Sequence, residues 1–305
     1  MEMNLDTVQS AFFKRQLEVI KGQTYDEKLV DLKAYQLFPI SQEAPAGATE
    51  ITWRSYKGYG FAKFIADYAK DFPKVDVGGT ELTRKIYDIG VAYGYSIREI
   101  QRAAIAGLNL EQRRAGAARR SVEEKMNAVA LTGDTNRNIP GFLSYPGITE
   151  YTVPATGTST TKTWSTKTAA NIIIDLYGIL NAISEGTYGK ENGNVILLPL
   201  AQLNKIKQTR ASDYSDKSIY TYFLENNPGL TIEWLKELDG AGALGVDRFM
   251  AYVKDPMHVT WEIPTMFEQL EEMREGPMAY SIPTVAQTAG VIVYYPAAVA
   301  FGDGI

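Results

Sequence analysis

Apolar positions in this chain change their period from segment to segment, and the changes mark its elements. Ala115, Ala118, Val122, Met126 and Val129 recur at steps of three and four, the spacing of one helical face. The pattern predicts a helix opening at Asn109, with Gln112 as its capping-box partner, and running to about Thr132. Gly133 stops it, because a helix end favours a residue that tolerates left-handed backbone. Roughly two dozen residues at ~1.5 Å each make a rod of about 35 Å. Upstream, Ser96 with Glu99 forms a second capping box that opens a short helix over 97–106, broken from the first at Gly107. The rest of the chain is arranged around 96–148.

Before that rod, residues 5–21 read as a helix with Leu5, Val8 and Phe12 on one stripe and Phe13, Leu17 and Ile20 on another. An apolar stretch from Leu29 to Ile40 and a Pro/Gly/Ala turn at 44–48 follow, the pattern of an arm that wraps over something. At 50–95 the period falls to two. Ile51 and Trp53 alternate with Thr52 and Arg54, and the segment reads as a long hairpin with its tip between Asp67 and Thr80. Its return strand carries Tyr87, Ile89, Val91, Tyr93 and Tyr95 on one face, and Asp88, Gly90, Ala92 and Gly94 on the other. A two-stranded ribbon is marginal alone in water, so the aromatic face must lie against something. Either it belongs to an ordinary sheet, or the hairpin is an arm docked on a neighbour.

Beyond a Thr/Gly/Ser-rich stretch at 149–164, the segment 165–255 reads as an inserted α/β unit. It has an amphipathic helix from Ala169 to Ile183, a buried strand Val195–Leu198, a helix carrying Leu200, Leu203 and Ile206, another over 217–226, and strands near 230–235 and 246–253. Strand character returns at Val259–Ile263, Tyr280–Val285 and Gly290–Tyr295. The fold class is α+β.

Composition narrows the chemistry. The chain has 305 residues, a net charge of -5, no cysteine and a single histidine. Disulfides, thiolate metal sites and cysteine nucleophiles are excluded, and any Ser-His-Asp triad would need His258, which reads as a structural or surface histidine. No overall basic field draws the chain to nucleic acid, and residues 225–280 hold eleven acidic against four basic residues. No phosphate-binding loop, nucleophile elbow or calcium loop is present, and adjacent carboxylate pairs such as Glu123/Glu124 diverge on a helix. The sequence therefore implies no catalytic residue, no cofactor and no metal. Neither a secretion signal nor a bilayer-length apolar run is seen, which implies no membrane association.

The long helix also carries Arg113, Arg114, Arg119 and Arg120 in its first half and Glu123 and Glu124 later, an order opposed to the helix dipole. Arg119/Glu123 and Arg120/Glu124 are spaced for local ion pairs. They form a solvated face, or they meet carboxylates on a neighbouring subunit.

The order of elements resembles the major capsid proteins of tailed phages, the Hong Kong ninety-seven-type fold shared with encapsulins. The motifs that carry the likeness are Gly94-Tyr95-Ser96-Ile97-Arg98-Glu99, Leu131-Thr132-Gly133-Asp134 with Pro140-Gly141-Phe142-Leu143 and Pro146-Gly147-Ile148, and the closing Gly290-Val291-Ile292-Val293-Tyr294-Tyr295-Pro296. The resemblance implies an N-terminal arm (1–49), an extended loop (50–95), a peripheral domain with the spine helix (96–164 and 256–305) and an axial domain (165–255). It implies pentamers and hexamers of the chain itself, closing into an icosahedral shell around double-stranded DNA, in a virion made in the host cytoplasm. Only a short arm precedes the loop, so it implies a scaffold on a separate chain, with portal or decoration proteins as further partners. Some members cross-link through a Lys–Asn isopeptide bond, and Lys57 and Lys63 lie in that region, where an exposed loop carries lysine in any case. The residues expected at subunit interfaces are Trp53, Tyr56, Tyr87, Tyr93, Arg119, Arg120, Glu123 and Glu124. The alternatives are an encapsulin-like compartment holding a cargo enzyme and, from a different class, a carboxylate hydrolase built on the α/β unit.

Overall fold

The computed structural model describes residues 30–65, 72–105, 110–214 and 216–305. The expected helix at 5–21, the break at Gly107, the cap at Asn109 and part of the hairpin tip lie outside the described residues. A one-turn helix α1 (Ala34–Leu37) and strand β1 (Ile40–Ser41) lead into β2 (Glu50–Tyr59), β3 (Asp76–Lys85) and β4 (Tyr87–Ser96). Helix α2 (Ile97–Ile105) and the long helix α3 (Leu110–Leu131) follow, then the short strands β5 (Gly133–Asp134), β6 (Ile139–Pro140) and β7 (Thr149–Glu150). Next come α4 (Ala169–Gly186), β8 (Val195–Leu198), α5 (Leu200–Gln208), α6 (Ile219–Asn226), β9 (Thr231–Trp234) and β10 (Arg248–Tyr252). The chain closes with β11 (Val259–Glu262), β12 (Thr265–Gln269), β13 (Met273–Arg274), β14 (Ala279–Thr288), β15 (Gly290–Val293) and β16 (Val299–Asp303).

One sheet explains most of the core. Its order is β7-β16-β10-β8-β9, so the strands of the 165–255 segment are completed by β7 and β16 from outside it. Val195, Leu197, Met250, Tyr252 and Val299 face one hydrophobic cluster, which also holds Val122, Met126 and Leu131 of α3 and Trp261. The alternating Ile196, Leu198, Phe249, Ala251 and Ala300 face a second cluster, with Ile172, Leu176 and Ile179 of α4 and Phe223 of α6. A sheet covered on both faces needs apolar residues without alternation, which is why Val195–Leu198 reads as a continuous run.

The capped helix forms as expected. Glu99 accepts the Ser96 amide at 3.3 Å, and Arg114 of α3 reaches the same carboxylate at 3.1 Å, tying the two helices together. The Arg114 hydrogen bond, then the Ser96 amide, hold the Glu99 carboxyl below its ordinary pKa. The small-residue stripe of α3 packs as its spacing implied, with Ala118 against Tyr93 and Ile282, and Val122, Met126 and Val129 buried.

The hairpin differs from its sequence reading. The strand returning beside β2 is β3, in a ten-rung ladder from Glu50↔Lys85 to Tyr59↔Asp76. The tyrosine-rich β4 instead pairs along its whole length with β14, from Tyr87↔Thr288 to Ser96↔Ala279. It is thus part of an ordinary sheet, and its aromatic face is partly covered, with Tyr93 buried against Ala118 of the long helix and Tyr95 half-buried beside it. The alternation in β4 follows its better-covered face, on which Tyr93 is buried and Tyr87, Ile89 and Tyr95 are half-buried. Nearly all of β3 is exposed on both faces and leaves no such trace. Strands β12, β13 and β16 were also not foreseen.

A buried ion pair pins the second core. Lys167 Nζ lies 2.6 Å from Asp175 Oδ2 with both side chains out of contact with solvent, and the Trp164 indole donates to the same oxygen at 2.8 Å.

Candidate assembly surface

The β2–β3 ribbon is about 33 Å long by strand rise, and only its root is covered. Ile51, Trp53 and Arg84 are half-buried, and the Trp53 ring packs edge-on to Tyr294 at 5.8 Å. Further out, every described residue from Arg54 to Ile65 and from Val75 to Thr83 is exposed. Polar cross-strand pairs hold the ladder: Thr52 with Thr83 at 2.9 Å, and Arg54 with Glu81 at 2.6 Å. Gly79 stands opposite Tyr56 and Gly78 lies diagonal to Tyr59, where a Cβ would come within 3.2 and 2.9 Å of the rings. The glycines let the rings lie flat across the partner strand.

These rings and their neighbours face solvent. Tyr56 is 66% exposed, Phe61 71% and Phe72 63%, with Val75 and Val77 beside them. So much apolar surface on a ribbon that is marginal by itself makes it a candidate contact surface. The signal for Phe61, Phe64 and Phe72 lay in the sequence as large apolar residues with no helical or strand period. Lys57 sits in β2 opposite Gly78, and Lys63 just beyond the strand.

The other expected interface residues fall into separate places. Tyr87 donates its hydroxyl to the Arg137 carbonyl at 3.0 Å, and the Arg137 guanidinium lies 5.3 Å from the Tyr87 ring. Tyr93 is 9% exposed beneath Ala118 and Ile282, so its ring is spent on its own chain's core. Arg119 pairs with Glu123 at 2.8 Å and Arg120 with Glu124 at 2.7 Å, on a helix face beside a groove that also exposes Tyr35, Met266 and Phe267.

His258 lies 3.1 Å from Glu191 and 3.7 Å from Asp255, where it links the loop after α4 to the start of β11. Among the described residues no group of three or more His, Asp or Glu side chains is placed to hold a metal ion. Likewise, no described helix is long and apolar enough to cross a membrane.

The structure is similar to the capsid of Myoviridae Phage XM1, with a TM-score of 0.82 at 18% identity, covering 95% of this chain and 98% of that one. It is also similar to a chain of Mycobacterium phage Bobi (TM-score 0.66, 13% identity, 98% and 99% covered) and to the capsid of a native GTA particle (TM-score 0.66, 12% identity, 98% and 99% covered). At these identities the likeness is one of fold. No curated protein matches the chain in sequence. The family model for the major capsid protein matches residues 60–305, and the chain belongs to that family. It is a structural capsid protein.

Proposed function

We propose that the chain assembles through pentamers and hexamers into an icosahedral shell that encloses double-stranded DNA, and that the β2–β3 ribbon lies on the neighbouring subunit. The observation that carries this reading is the ribbon itself, built from exposed aromatic residues with cover only at its root. Docking on a neighbour supplies the missing apolar contact, and many such moderate interfaces make assembly cooperative and concentration-dependent. A net charge of -5 keeps the wall from adhering to the genome it confines.

In this reading 1–49 is the arm and 50–95 the extended loop, with β2 and β3 as its free ribbon and β4 joining it to the sheet. Residues 96–164 with 256–305 form the peripheral domain around the spine helix α3. The axial domain, 165–255, borrows β7 and β16. Tyr56, Tyr87 and the Arg119–Glu123 and Arg120–Glu124 face are the contact residues, with Trp53 anchoring the ribbon root. The shell belongs to a virion made in the host cytoplasm, with scaffold, portal and decoration proteins as separate partners.

Ser55 stands opposite Thr80, so residues 56–79 can be replaced by an Asn-Gly turn without disturbing the root of the ladder. The shortened chain is expected to fold, with an unchanged thermal transition, and to form no closed particles. Normal shells from it would overturn the reading. What co-purifies with the parent particles, genome or a single cargo protein, separates a virion from a compartment.

A further inference from the structure

At the ribbon root, β3, the start of β4 and the exit from α3 enclose a groove of about 650 Å³. Arg84, Lys85 and Arg137 line it together with Thr135, Asn138 and Ser144, and no carboxylate lines it. The groups that hold the two arginines are neutral. Arg84 donates to the Tyr145 hydroxyl at 3.2 Å and the Val291 carbonyl at 3.4 Å, and Arg137 rests on the Tyr87 ring. Nearby acids are turned elsewhere or stay apart. Asp134 is taken by Lys125 at 2.9 Å, Asp88 accepts from Gln287, and Glu50, across the ladder from Lys85, makes no ion pair with it. Three cations without an ion-pair partner among the described residues therefore converge on one cleft, in a chain whose net charge is -5.

The complementary charge sits at the far end of the same sheet. The turn between β12 and β13 exposes Leu270 and Glu271, and Glu268 precedes it within β12. Exposed Met273 and Arg274 form β13 and Glu275 follows, with the Arg274 guanidinium turned back onto the Gly276 and Pro277 carbonyls. Glu272 of this turn is occupied by the Tyr95 hydroxyl at 2.6 Å. Along β14, Thr288 pairs with Tyr87 at the groove, whereas Ser281 pairs with Met273 at the acidic turn. Seven residues of strand separate them, about 23 Å, so the tip of the turn with Glu271 cannot fill the groove of its own chain, while Glu268, opposite Val285, stands three residues from Thr288.

We propose that the acidic segment 268–275 of a second copy docks in the basic groove formed by Arg84, Lys85 and Arg137. The inference rests on the reading of the chain as a self-assembling shell subunit. A knob and a socket at opposite ends of one sheet make a head-to-tail contact, which closes into a ring when the rotation per subunit permits. Preformed cations that meet carboxylates would set register and partner choice more than raw affinity. The chain supplies the matching acids itself. That favours a protein carboxylate over nucleic-acid phosphate.

The test is charge reversal on each side and on both, in the full-length chain. Lys85→Glu with Arg137→Glu reverses the groove, Glu268→Lys with Glu271→Lys reverses the turn, and the quadruple variant combines them. All four residues changed are exposed, and circular dichroism with thermal melting checks the fold; Lys85→Gln with Arg137→Gln replaces the first pair if it melts early. Sedimentation velocity reads the critical concentration for assembly. Each one-sided reversal is expected to raise it about tenfold or more, equivalent to losing one good contact, and the quadruple variant to restore most of the loss. One-sided reversals that assemble like the parent would overturn the docking, as would a quadruple variant no better than either half. Shells that form normally but retain less nucleic acid after groove reversal would assign the cations to phosphate instead. A parent protein that forms no particles would remove the shell reading itself, and this docking with it.

Discussion

Gly133 and Gly141 meet backbone to backbone at the end of the long helix. A Cβ on Gly133 would lie 2.4 Å from the Gly141 nitrogen, and one on Gly141 would lie 2.4 Å from the Gly133 nitrogen and 2.2 Å from the Thr132 carbonyl carbon. Gly133 also has φ of +80°, which side chains rarely adopt. Strain and overpacking together set the cost of Gly133→Ala at about 2–5 kcal/mol. Gly141→Ala should cost a similar amount from the clash. Gly147 is the control: φ is +83°, but its nearest neighbour is a Pro296 carbon at 3.8 Å. Gly147→Ala should cost only about 1–2 kcal/mol. Urea denaturation of the unassembled subunit measures all three.

The Lys167–Asp175 pair is fully enclosed, so removing one partner strands the other. Asp175→Ala is expected to destabilise the subunit by about 3–5 kcal/mol, whereas the joint replacement Lys167→Met with Asp175→Leu should be far milder because no buried charge remains. A double-mutant cycle by thermal melting distinguishes this from simple loss of packing.

Acid stability follows from Asp303. Burial alone would raise its pKa, but the Arg248 guanidinium at 2.7 Å, the Ala243 amide and Lys162 outweigh it and leave the carboxyl below its ordinary range. The unfolded chain then binds the proton more readily than the folded one, so stability rises with pH across that interval. Asp303 contributes fully above the ordinary carboxylate range near pH 4, and the contribution is lost as pH falls through its lowered value. The stability of Asp303→Asn should be lower at neutral pH and should fall less steeply below about pH 4. Denaturant midpoints measured from pH 3 to 7 check the slope.

Arg119 and Arg120 already satisfy Glu123 and Glu124 within their own helix. Exposed pairs of this kind contribute about 0.3–0.5 kcal/mol each, so Arg119→Ala with Arg120→Ala should hardly move the melting temperature. If the face meets a neighbour, reversing both to Glu lowers assembly while leaving the fold intact. Unchanged assembly would retire those two residues as interface groups.

The legible parts of this fold are those whose surroundings impose a period. Ala118, Val122, Met126 and Val129 show the buried face of α3, and Ser96, Glu99 and Gly133 mark its neighbours' caps and stops. Strand β4 is legible because Tyr93 and Tyr95 pack toward α3, although its partner is β14 and not β2. Strand β3, almost wholly exposed, has no period to read, although it and not β4 is the partner of β2. The basic groove was invisible for a different reason. Arg84 and Lys85 lie more than fifty residues before Arg137, and only the turn after Gly133 folds them into one cleft. Tyr93 shows the opposite error: an aromatic residue that looked available for a neighbour is consumed by Ala118 and Ile282 of its own chain.

The most direct test of the central claim is negative-stain electron microscopy of the full-length protein beside the chain in which residues 56–79 are replaced by a tight turn. Closed isometric particles from the full-length chain, and only unassembled, folded subunits from the shortened one, are the expected pair of images. A full-length protein that remains monomeric at every concentration, or a shortened one that still closes into shells, would contradict the account.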